Sequence, residues 1–89
     1  MATVVVILPA ALASLFPDSE RRVEVTAATV EEVMVALDRR WPGMRDRLCD
    51  SRPAIRRHIN IFVAGERATL ATVLAPGAEV HVLTAISGG

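Results

Sequence analysis

The chain has 89 residues, room for one domain with one modest core, and 52% of them are apolar, which argues for a folded domain over a disordered segment. Ten arginines balance ten acidic residues, and this neutral total argues against a general nucleic-acid binder. There is no lysine, and the single cysteine rules out an intrachain disulfide and fits a reducing compartment.

The chain opens with "MATVVVILPAALASLF". Ala11-Leu12-Ala13 imitates a signal-peptidase site, but the positive n-region is missing and Pro9 interrupts the apolar run. Thr3 to Leu8 therefore predicts a first strand, and its unbroken aliphatic pattern predicts burial on both faces. No stretch is long enough to span a bilayer, so the expected location is the cytoplasm. Ala10 to Phe16 predicts a short helical turn, and "FPDSE" a bend. Arg22 to Thr26 alternates Val23 and Val25 with charged residues, the pattern of a half-buried edge strand.

A helix follows in "TVEEVMVALDRRW". Thr29 with Glu32 forms a capping box, and Val30, Val33, Met34, Leu37 and Trp41 recur at helical spacing. Arg39 and Arg40 suit the last turn, and Pro42-Gly43 stops the helix. Met44 to Arg57 lacks a sustained period and predicts an irregular or partly helical link. His58 to Val63 alternates, with Ile59, Ile61 and Val63 on one face and Phe62 on the other. Arg67 to Leu70 predicts a short returning strand, Pro76-Gly77 a type II turn, and Glu79 to Thr84 the last strand. The expected fold is α+β: a mixed sheet of four to five strands with one main helix on one face. The first and last strands should lie centrally, side by side and parallel. Residues 1–84 form the expected domain, and 85–89 a flexible tail, since terminal glycines pack little and order at high cost.

Most catalytic templates fail. The chain has no Gly-rich phosphate loop, no Cys or His pairs at metal spacing and no nucleophile elbow, so no catalytic residue, metal ligand or bound cofactor is expected. Cys49 lies between arginines that could lower its pKa, but without a base partner it reads as a small residue. His58 and His81 sit on predicted strands as structural or surface histidines. Residues 38–57 hold seven arginines and three aspartates. That stretch reads as a solvated face, with docking of an acidic protein as its functional alternative. RNA fits less well, because interleaved aromatics are missing.

The last residues, "HVLTAISGG", differ in kind. Gly88 and Gly89 lack Cβ atoms, so this segment can pass through a narrow slot and present an unhindered carbonyl. A carboxylate becomes an acyl donor once ATP has adenylated it. Sulfide can then displace AMP and leave a nucleophilic thiocarboxylate, and a persulfide does the same once a thiol has cleaved the acyl disulfide that it forms.

In this ending, in "RRHINIFVAGE" and in "LATVLAPGAEVHVLTAISGG", the chain resembles the β-grasp, ubiquitin-like sulfur carriers of the ThiS/MoaD family. The resemblance extends over essentially the whole length and is strongest to the actinobacterial carrier of thiocarboxylate-dependent cysteine synthesis. It implies that Gly89 is the adenylated and sulfurated residue, with Gly88 and Ser87 as the adjoining tail. It implies a non-enzymatic carrier, with ATP and a sulfur source used by an adenylating partner. The sulfur acceptor would be an enzyme such as a cysteine-synthase homologue. The alternatives are the small subunit of molybdopterin synthase, with that enzyme's large subunit as partner, and a ubiquitin-like protein modifier. "LTAISGG" lacks the aromatic-Pro-Pro stretch usual in the first, and a chain without lysine cannot build lysine-linked chains on itself. A β-grasp adaptor with an idle tail is the bland reading. No membrane or nucleic-acid partner is expected, and Phe62 is the candidate residue for partner contact.

Overall fold

The computed structural model describes residues 2–16, 20–50, 54, 55 and 59–84. Along the chain run β1 (Ala2–Ile7), α1 (Ala10–Ala13), β2 (Arg22–Ala27), α2 (Val30–Arg40), α3 (Met44–Leu48), β3 (Cys49–Asp50), β4 (Ala54–Ile55), β5 (Ile59–Val63), β6 (Glu66–Arg67) and β7 (Glu79–Thr84). The main sheet has the order β2-β1-β7-β5-β6, with a separate ribbon of β3 and β4. β1 and β7 are the parallel pair near its centre, with Val5 opposite Glu79 and Ile7 opposite His81. A parallel pair needs a long crossover, and the whole of the intervening chain supplies it. β2, with its alternating charges, lies at an edge as its pattern predicts.

The helical layer covers one face. Val30, Val33, Met34 and Leu37 of α2 are fully buried against Val4, Val6, Val23, Ile61, Val80 and Val82 of the sheet. Each such side chain contributes about 1.5–3 kcal/mol of burial. Thr29 caps α2 by accepting the Glu32 N–H at 3.3 Å, while Glu32 Oε1 accepts the Ala28 N–H at 2.6 Å. Two further N–H groups of the first turn are used by a distant loop. Val30 donates to the Thr72 carbonyl at 3.1 Å and Glu31 to the Leu70 carbonyl at 3.0 Å. This corrects the expected strand from Arg67 to Leu70. After the two residues of β6 the chain turns its carbonyls towards the helix end, where unpaired donors need them.

Two other expectations change, and two hold. Trp41 is outside α2, half-buried at the C-cap with φ −133°, because a residue before proline is pushed out of the helical region. The link is partly helical, as expected: α3 is entered through Gly43 at φ +98° and buried through Met44 and Leu48. β1 is covered on one face only: Ala2, Val4 and Val6 are buried, while Thr3 is exposed and Val5 and Ile7 are half-buried. The Pro76-Gly77 turn is as expected, with Gly77 at φ +79° and the Ala78 N–H donating to the Ala75 carbonyl at 3.0 Å.

Candidate functional site

β7 is the element that leads to the chain's end, and the fold holds it firmly. Its entry is fixed to β1 by the Gly77 N–H on the Thr3 carbonyl at 2.8 Å and the Val5 N–H on the Ala78 carbonyl at 2.9 Å. Val80 and Val82 anchor it in the core, and β5 pairs along its other side as far as Thr84 opposite Ile59. Ser87, Gly88 and Gly89 lie outside the described residues, as does the expected tail from 85 onwards. Five residues can reach roughly 17 Å beyond Thr84 when extended.

The alternation of the strands sends a second set of side chains to the face opposite α2. Ile59 and Ile61 point into the core, so Phe62 and Asn60 point outwards. Phe62 is half-buried and sits between Arg67 of β6 and His81 of β7, and His81 in turn sits opposite Ile7 of β1. Arg22 of β2 extends this row beyond Ile7. The next row towards the tail pairs Asn60 with Leu83, which is 48% exposed. Glu79 and Val5 lie on the other side. Arg67 donates to Asn60 Oδ1, and His81 Nε2 is 3.2 Å from Glu79 Oε1.

This face sets Val5, Ile7, Phe62 and Leu83 around Glu79 and His81 of the central strand, and both edges are polar. Partly open apolar side chains interleaved with polar ones suit binding. Among the described residues no group of three or more His, Cys, Asp or Glu could hold a metal ion. Cys49 is 4% exposed in β3, the position of a structural residue and not of an accessible nucleophile. His81 belongs to the outer face, while His58 lies outside the described residues. Sequence reasoning singled out Phe62 but missed Ile7 and Leu83. The alternation in "EVHVLT" carried the signal for Leu83; Ile7 required the β1–β7 register.

The ThiS family matches residues 6–89. A chain from the Amycolatopsis orientalis BexX/CysO complex is 29% identical with a TM-score of 0.86, over 97% of this chain and 99% of its own. SAMP1 from Haloferax volcanii is 30% identical with a TM-score of 0.82, over 99% of this chain and 100% of its own. Mycobacterium tuberculosis CysO, described as an antigen, is 28% identical with a TM-score of 0.82, over 93% of this chain and 99% of its own. No curated protein matches the sequence. A single family match that runs from β1 through the two glycines, on a sheet with these neighbours, identifies the chain as a ubiquitin-like β-grasp protein of the ThiS family.

Proposed function

We propose that this protein is a sulfur carrier whose Gly89 becomes a thiocarboxylate. The carrying observation is the central strand β7, clamped on both sides and leading within five residues to Gly88-Gly89, inside a family match that includes both glycines. An adenylating partner joins the Gly89 carboxylate to the α-phosphate of ATP and releases pyrophosphate. A sulfide donor attacks the acyl carbon, the C–O bond to AMP breaks, and the thiocarboxylate remains. The carrier supplies no catalytic group. Its outer face, centred on Phe62, holds the partner while Ser87, Gly88 and Gly89 enter the partner's site.

Similarity to two chains named CysO supports cysteine as the destination of the sulfur, with a cysteine-synthase homologue as acceptor. One of those chains was solved in complex with a second protein, which supports a partnered role. The proposed dependence on ATP favours the cytoplasm as its location. A second reading, conjugation to other proteins, is favoured by the similarity to small archaeal modifier protein 1.

Intact-mass spectrometry of the chain with an adenylating partner, ATP and a sulfide donor tests the proposal. The expected gain is one sulfur in place of one oxygen, lost when Gly88 and Gly89 are deleted, with the melting temperature unchanged. A gain that survives the deletion refutes Gly89 as the carrier atom's site. Attachment to lysines of other proteins, without sulfur release to an acceptor, would favour the modifier reading.

A further inference from the structure

The arginine-rich stretch, which the sulfur chemistry leaves unused, divides the molecule electrically. Residues 38–57 carry seven arginines and three aspartates, a formal charge of +4. The other residues carry three arginines and seven carboxylates, a formal −4, so the neutral total conceals a strong charge separation. Offsetting the negative C-terminal end of α2 accounts for one or two of these cations, not for seven.

Four of the seven are in the corner where α2 turns into α3. Arg39 and Arg40 occupy the last turn of α2, and Arg45 and Arg47 lie on α3. Asp38 Oδ1 accepts the backbone N–H groups of Gly43 at 3.0 Å and Arg45 at 3.2 Å, which fixes the turn between the helices. Arg45 Nη2 lies 3.9 Å from Glu31 Oε2, so α3 folds back beside α2. Met44 and Leu48 are buried, which turns Arg45 and Arg47 away from the core. Arg40 is held by the Glu24 carbonyl at 3.4 Å and lies 5.7 Å from the centre of the Trp41 ring. Arg39 and Arg47 are exposed and pair with no acidic group among the described residues. The corner belongs to the helical layer, on the opposite side of the sheet from Phe62.

We propose that the α2–α3 corner is a second docking surface, for an acidic surface of a protein partner. A cluster made only of arginine suits that occupant. The guanidinium is weakly hydrated, and its planar fork matches carboxylates two bonds at a time. A nucleic acid fits less well, because the formal −4 on the remainder of the chain repels a long polyanion running past the corner. Only Trp41, already beside Arg40, offers a ring for a base there. A partner held here leaves the Phe62 face free, so one protein can retain the carrier while another binds that face. This surface extends the proposed function without depending on it.

Titration of the full chain with a polyglutamate peptide at low salt, followed by backbone amide shifts, tests the surface directly. Shifts should centre on residues 38–48, persist in Phe62→Ala and weaken as salt rises. R39E/R47E should bind roughly tenfold more weakly at an unchanged melting temperature. R39K/R47K should keep most of the affinity. An absence of shifts, shifts centred on β5 and β7, or equal binding by R39E/R47E would overturn the proposal. Tighter binding of polyuridylate than of polyglutamate would overturn it in favour of nucleic acid. Shifts in the corner that grow with chain concentration alone would overturn it in favour of a second copy. No sulfur step enters this titration, so its failure and that of the Gly89 chemistry are read separately.

Discussion

The two faces of the main sheet are built from alternate residues of the same strands, yet they differ in composition and in what covers them. The inner face is aliphatic throughout, and α2 seals it: Val4, Val6, Val23, Val30, Val33 and Val80 are all fully or almost fully excluded from water. The outer face is mixed: Val5, Ile7, Phe62 and Leu83 remain partly open among Glu79 and His81 of the central strand and Asn60 of β5. Its edges carry Arg22 and Glu24 on β2 and Arg67 on β6. An outer face needed only for solubility would be polar at Val5, Ile7, Phe62 and Leu83 as well. The inner face therefore accounts for stability, and the outer face is available for contact with another molecule.

The largest expected effect separates neighbours on β5. Ile61→Ala, on the inner face and 1% exposed, should cost about 2–5 kcal/mol of unfolding free energy. Phe62→Ala removes a larger side chain and should cost about 1 kcal/mol or less, because that ring is not part of the core. Chemical denaturation measures both. The same Phe62→Ala protein should lose affinity for its adenylating partner, which a binding titration would show. A loss of stability near that of Ile61→Ala would remove the distinction between the faces.

A second pair tests β1 with almost no change in shape. Val6→Thr places a hydroxyl in the sealed core and should cost about 1–3 kcal/mol, since no partner for it is at hand. Val5→Thr puts the same hydroxyl on the half-open face and should cost about 0.5 kcal/mol or less. Equal costs in thermal unfolding would mean that the outer face is covered within the free protein after all.

Much of this architecture is legible in the sequence where the signals are local. Thr29 with Glu32, the spacing from Val30 to Leu37, and Pro42-Gly43 delimit α2 from within fifteen residues. The inner place of β1 follows from its unbroken aliphatic run. In contrast, β7 (EVHVLT) is less apolar than β5 (INIFV), so apolarity alone does not select it as the partner of β1. What the sequence hides is set by distant groups. The uninterrupted aliphatic run of β1 is the same whether its second face is covered by its own chain or left for another molecule. The loop after β6 bends because α2, far away in sequence, has donors to satisfy. α3 shows only one apolar pair, Met44 and Leu48, among charges, too little for a period to emerge. In the site, Gly88 and Gly89 are readable as chemistry, and Phe62 follows from alternation. The setting of Phe62 between Arg67 and His81 requires the register.

The smallest expected effect concerns the turn that secures that register. β5 and β6 are joined by Ala64 and Gly65, with Val63 opposite Glu66 and both loop residues at positive φ, +53° and +82°. This is the two-residue turn whose twist matches antiparallel strands, and it favours Asn-Gly over Ala-Gly. Alanine in the left-handed region costs about 1 kcal/mol, while asparagine enters it more readily. Ala64→Asn should therefore raise stability by up to about 1 kcal/mol, seen as a modest rise in melting temperature. Because a slip of one residue would exchange the two faces of β5, a tighter turn should also leave the costs of Ile61→Ala and Phe62→Ala as far apart as before. A fall in stability, or a convergence of those two costs in the Ala64→Asn background, would show that something other than this turn keeps Phe62 facing outwards.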